Sequence, residues 1–105
     1  MASGFRQAVS GSFQSDGNAR TVSLGFPATR IKLFVDTGAE GEWLESMSAV
    51  SGTFKRITGG TGSFITTGGV SVSASAGSVN DQFTLGTDAN LNPGSNHVVY
   101  WWAEE

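Results

Sequence analysis

The chain has 105 residues, of which 14% are charged; six Lys and Arg stand against nine Asp and Glu, for a net charge of −3. That length fits one domain with one core, and the weak charge excludes both a disordered polyelectrolyte and a basic nucleic-acid footprint. With no cysteine there is neither a disulfide framework nor a thiolate metal site. Residues 1–20 hold no apolar signal-peptide core, and no apolar run approaches the ~18 residues that cross a bilayer. The expectation is a protein made in the cytoplasm, with no membrane and no nucleic-acid partner.

Gly occupies 15 of 105 positions, about twice its average share, which points to many turns between short elements. Phe5, Val9 and Phe13 share one face of a first extended segment, and Ser15-Asp16-Gly17-Asn18 reads as a tight turn. Val22, Leu24 and Phe26 alternate with Thr21, Ser23 and Gly25 up to Pro27. Ile31, Leu33 and Val35 alternate with Arg30, Lys32 and Phe34, the clearest strand in the chain. A loop over residues 36–41 leads into a strand from Glu42 to Met47 that carries Trp43. The one place for a short helical turn is Ser46 to Val50.

Further strands are predicted over 53–57, 64–67, 70–74 and 82–85, separated by Gly-rich turns. In the last segment, 97–102, Val98, Tyr100 and Trp102 take one face and Val99 and Trp101 the other. Apolar residues on both faces predict a central or covered strand. Eight or nine short strands of this spacing indicate an all-β fold, a small antiparallel sandwich or barrel of about eight strands over 1–105. Phe26, Leu33, Val35, Val98 and Tyr100 are the expected core. Residues 1–8 are expected to form a terminal arm, and the small-residue tract 66–79 either edge strands or an exposed hairpin that orders against a partner.

Few residues offer chemistry. His97 is the one histidine, set among apolar neighbours with no nucleophile elbow, so no Ser-His-Asp triad is expected. Asp36, Glu40, Glu42 and Glu45 cluster in one loop and the start of one strand, whereas glycosidase carboxylate pairs usually come from separate elements; a solvated loop is the better reading. Asp88-Ala89-Asn90-Leu91-Asn92 mimics the start of a calcium loop, but Pro93 precedes Gly94 and no twelfth-position Glu follows, so an Asx-rich turn is favoured. Gly59-Gly60-Thr61-Gly62-Ser63 lacks the lysine of a phosphate-binding loop. Trp43, Tyr100, Trp101 and Trp102 are candidates for an aromatic platform, or for core. No cofactor, catalytic residue or metal ligand is expected.

Two segments carry a resemblance. Gly25-Phe26-Pro27-Ala28-Thr29-Arg30-Ile31-Lys32-Leu33-Phe34-Val35 with Glu42-Trp43-Leu44-Glu45-Ser46-Met47, and Phe83 to Asn92 with Tyr100-Trp101-Trp102-Ala103, resemble small β-rich structural proteins of tailed bacteriophages. Together they span residues 25–47 and 83–103. The resemblance implies a non-enzymatic virion component: a capsid decoration protein, or otherwise a head or tail accessory, that binds the major capsid protein and copies of itself. A carbohydrate- or receptor-binding module using the aromatic cluster is the other reading, with a glycan as partner. Phe5, Trp43, Val70, Val72 and Trp101 are the residues expected to meet a partner.

Overall fold

A computed structural model of the chain describes residues 7–47 and 52–105. These form nine strands: β1 (Ala8–Gln14), β2 (Arg20–Ser23), β3 (Arg30–Val35), β4 (Glu40–Leu44), β5 (Thr53–Arg56), β6 (Gly62–Ile65), β7 (Val70–Ser73), β8 (Gln82–Leu85) and β9 (Val98–Glu104). Every pairing is antiparallel, and the strands divide into a six-stranded sheet, β1-β9-β3-β4-β5-β6, and a three-stranded sheet, β2-β8-β7. The fold is all-β, as the alternation predicts, and two sheets make it sandwich-like rather than a closed barrel.

Side-chain parity decides what lies between the sheets. β3 buries Ile31, Leu33 and Val35, β9 buries Val99, Trp101 and Ala103, and β8 contributes Phe83 and Leu85 from the opposite sheet. The Phe83 and Trp101 rings meet edge-on, with centroids 5.4 Å apart and planes at 68°, the geometry that aromatic quadrupoles favour. Gly11 of β1 makes room for that indole: a Cβ there would lie 2.7 Å from Trp101 Cζ2. At the sheet margin the Arg20 guanidinium stacks 4.9 Å over Phe13 and closes the space between β1 and β2. As predicted, β9 is central, paired with β1 on one side and β3 on the other.

Several expectations are corrected. Phe26, Leu33 and Val35 are core, but Tyr100 is 51% exposed and Val98 only half-buried, because the inward face of β9 is the one bearing Val99 and Trp101. Gln7 and Ala8 belong to the sheet rather than to a free arm: Glu105 N–H donates to the Gln7 carbonyl, and Ala8 pairs with Glu104. The rest of the expected arm, with Phe5, lies outside the described residues. β4 starts at Glu40, inside the expected loop, and stops at Leu44, where Glu45–Met47 turns as a 3-10 helix; the remainder of the expected helical turn, residues 48–50, also lies outside them. The tract 66–79 is not a loosely held hairpin. Val70 is buried, Val72 packs on the core, and the Val70 N–H donates to Thr53 Oγ1 across the sandwich at 2.8 Å.

Leu33 is fully enclosed and Tyr100 is not, so their alanine variants should separate. Leu33→Ala should lose ~2–5 kcal/mol in urea unfolding, and Tyr100→Ala should stay within about 0.5 kcal/mol of the parent. Equal losses would contradict the inward face assigned to β9.

Candidate functional site

The outer face of the six-stranded sheet is built by the opposite parity of the same strands. The register lays its residues in rows: Ser10, Trp102, Lys32, Glu42, Phe54 and Phe64 in one, and Ser12, Tyr100, Phe34, Glu40 and Arg56 in the next. Phe34 is 45% exposed, Trp102 36% and Phe64 62%. With Tyr100 directly opposite Phe34, three exposed aromatic side chains stand on the adjacent central strands β3 and β9. Such a group on one surface is more than the scattered apolar residues every protein shows.

Cations lie beside two of these rings and beside Phe54. Arg30 lies 5.6 Å from the Trp102 ring centroid, Lys32 lies 5.6 Å from that of Phe34, and Arg56 lies 5.7 Å from that of Phe54. The Phe54 ring meets Phe64 edge-on at 5.2 Å. Arg30 also pairs with Glu42 at 3.3 Å and Glu104 at 3.5 Å. The buried Nε of Arg30 makes no hydrogen bond, so its 3.3 Å approach to Glu42 Oε2 is charge attraction without an aligned N–H. The face carries Arg30, Lys32 and Arg56 against Glu40, Glu42 and Glu104. Three charges of each sign cancel, and these half-exposed pairs fix orientation more than they stabilise.

The other candidate groups are engaged in holding loops. The His97 Nδ1–H donates to Asp36 Oδ1 at 2.7 Å, and the Val98 N–H donates to Asp36 Oδ2 at 3.0 Å. The Val98 N–H does most to lower the Asp36 pKa; burial opposes it, and the lesser effects of the His97 hydrogen bond and charge lower it further. Ser15, which is buried, accepts the backbone N–H of His97 at 3.2 Å rather than facing its ring. A serine, a histidine and an aspartate are therefore neighbours without the hydroxyl-to-imidazole contact that nucleophilic catalysis uses.

The calcium-like loop holds a cation of the chain's own. The Lys55 ammonium, on the inner face of β5, donates to Asp88 Oδ1 at 2.8 Å and to Asn90 Oδ1 at 2.7 Å. The second Asp88 oxygen accepts the N–H groups of Asn90 and Leu91, each at 3.1 Å. Buried Asn92 donates to the carbonyls of Asn18 and Gly86 and accepts the Gly17 N–H. The favoured Asx-turn reading fits these bonds, and the loop drops Leu91 into the core against Gly41. Asp81 caps the β7–β8 connection in a similar way: the Ser75 N–H and hydroxyl lower its pKa.

The sequence-predicted contact residues divide. Trp43 at 1% exposure, Trp101 at 9% and Val70 at 6% are enclosed by the chain's own core, and Val72 packs against it. The first three offer no free surface, Val72 is only partly buried, and Phe5 lies outside the described residues. The four-residue aromatic platform splits accordingly: Tyr100 and Trp102 face out, Trp43 and Trp101 face in. Of the acidic group, Glu42 joins the face and Asp36 holds His97. Phe34, Phe54 and Phe64 are not among the sequence-predicted contact residues, although Phe34 alternates with Ile31, Leu33 and Val35 on the side of Arg30 and Lys32, a visible sign of an exposed aromatic. No family model, curated protein or solved structure matches the chain.

Two outcomes follow from the loop geometry. Asp88→Ala strands a largely buried ammonium and should cost roughly 3–5 kcal/mol, while the parent should melt at the same temperature in EDTA and in added calcium. A calcium-dependent rise in Tm would instead make Asp88 and Asn90 metal ligands. Asp36 and Asp81 have folded pKa values below the unfolded one, so their contribution is complete above about pH 4 and lost as pH falls through the lower folded value. Urea midpoints should decline below that point, less steeply in Asp36→Asn; an unchanged slope in that variant would remove the His97 latch from the account.

Proposed function

We propose that the protein is a non-enzymatic structural component of a bacteriophage virion, foremost a capsid decoration protein that binds the major capsid protein and copies of itself. The binding part of this reading rests on one observation: the exposed Trp102, Tyr100 and Phe34 on the electroneutral outer face of the six-stranded sheet. A neutral aromatic surface suits a protein partner, whose interface cores are enriched in aromatics and poor in net charge. It does not suit a polyphosphate, which requires excess Lys and Arg. The virion part rests on the resemblance carried by residues 25–47 and 83–103. The central rings, flanked by cations and carboxylates, supply what hot spots in such interfaces use.

A glycan is the second reading, favoured by the Trp102 ring with Arg30 and Glu42 beside it as hydrogen-bonding groups. Sugar binding there would quench the fluorescence of Trp102, the most exposed of the three tryptophans.

The test is composition of purified particles. The parent protein should co-purify in many copies per particle, and a Phe34→Ser/Trp102→Ser variant should fold with a similar Tm yet be largely lost from them. Particles made without any copies of the parent protein would contradict the virion reading. Full occupancy by the variant would contradict the assigned face.

A further inference from the structure

Four strands end the two sheets, and each presents backbone groups to the outside. Hydrogen bonds just beyond each strand show which residues these are, because inward and outward groups alternate along an antiparallel ladder. In β6 they are Gly62 and Phe64, since Ile57 bonds Thr61. In β2 they are Thr21 and Ser23, since Leu24 bonds Asp81. In β7 they are Val70 and Val72, and Thr53 already takes the Val70 N–H.

β1 differs. Glu105 N–H donates to the Gln7 carbonyl and Ser15 N–H to the His97 carbonyl, so the odd-numbered residues bond β9. Ala8, Ser10, Ser12 and Gln14 therefore point their N–H and C=O groups away from the sheet. Among the described residues none of these backbone groups has a hydrogen-bond partner. The strand is seven residues long, Ala-Val-Ser-Gly-Ser-Phe-Gln, paired to β9 without a bulge. It carries no charge and no proline, the devices by which edge strands normally refuse a partner.

Its residues are also complementary to themselves. Two antiparallel copies of β1, placed about a two-fold axis at Gly11, set Ala8 against Gln14 and Ser10 against Ser12, in both directions. All four pairs join residues whose free groups face the partner, giving about eight backbone hydrogen bonds. The same alignment sets Val9, 37% exposed on the inner side, beside Phe13 of the second copy. At the axis the two Gly11 residues form the close, non-bonded pair, with Cα atoms about 4.5 Å apart. A side chain at 11 would collide with Trp101, so the glycine that seats the indole also leaves the axis unobstructed.

We propose that β1 is the dimerisation edge of this protein: a second copy pairs with it antiparallel through Ala8–Gln14, joining two six-stranded sheets into one of twelve strands. The occupant is a second copy because the strand offers hydrogen bonds and side chains in a register that matches its own reverse. The two outer faces then merge, with the Trp102 row of one copy continuing into the Tyr100 row of the other. This deepens the contact between copies in the proposed function and needs no capsid.

The experiment uses the full chain. Sedimentation should give a concentration-dependent species of twice the 10.9 kDa chain mass. Ser10→Pro removes an N–H that bonds nothing among the described residues and lies where an edge strand tolerates proline, so it should sediment as a monomer with its Tm within a few degrees of the parent. Register is tested separately, because the chain has no cysteine of its own. Mixed under mild oxidation, Ser10→Cys and Ser12→Cys chains should cross-link to each other, since hydrogen-bonded pairs lie about 5.5 Å apart. Neither should cross-link comparably alone. A parent that stays monomeric, a folded Ser10→Pro dimer, or cysteine pairs in any other register overturns the proposal. If Ser10→Pro does not fold, the cross-linking result decides. A monomer that still decorates particles would overturn this edge and spare the virion reading; a dimer absent from particles would do the reverse.

Discussion

The indole of Trp101 is the contact on which the two sheets depend. It stands on the central strand of the larger sheet, touches Phe83 of the smaller one, and occupies the space that Gly11 leaves on the neighbouring strand. Once Trp101 points inward, strand geometry leaves Trp102 and Tyr100 no choice but the outer face. Stability and candidate function are thus two consequences of one parity. A core that needs Val99, Trp101 and Ala103 on one side of β9 presents aromatics on the other.

The loops are held by polar groups at the ends of the sandwich. Asp36, Asp81, Asp88 and Asn92 each tie a connection with side-chain hydrogen bonds to backbone N–H groups or carbonyls. Lys55 uses the one ammonium on the inner side of β5 to fasten the β8–β9 loop. Most residues that suggest reactivity in the sequence are thereby employed within the chain. Among the described residues, the features most open to a partner are an electroneutral aromatic sheet face and the long uncharged edge strand β1 beside it. Both are suited to recognising another protein surface.

The fold was legible where the alternation had one reading. Residues 30–35 put Ile31, Leu33 and Val35 on one side and Arg30, Lys32 and Phe34 on the other, and the structure buries the first set. Residues 98–102 are apolar on both sides, so period 2 indicated a central strand without saying which face turns inward. That choice is made by distant partners: Gly11 and Phe83 accept an indole from one side only. Trp43 is similar, since its enclosure depends on cross-strand neighbours and not on local pattern. The outer face was hidden for another reason. Arg30, Glu42, Glu104 and Trp102 come together only through the registers of β3 with β4 and β9, which no single segment encodes. Likewise, nothing near Lys55 in the chain announces Asp88 and Asn90 as its partners.

The parity of β9 can be read directly from solvent access to the three tryptophans, whose exposures are 1% for Trp43, 9% for Trp101 and 36% for Trp102. Fluorine NMR of 5-fluorotryptophan-labelled protein, titrated with a soluble paramagnetic agent, reports each indole separately. The account predicts strong broadening of one resonance, the one that disappears in Trp102→Phe, while the other two stay sharp. Broadening of the Trp101 resonance with a protected Trp102 would invert the strand, and with it both the core and the proposed binding face.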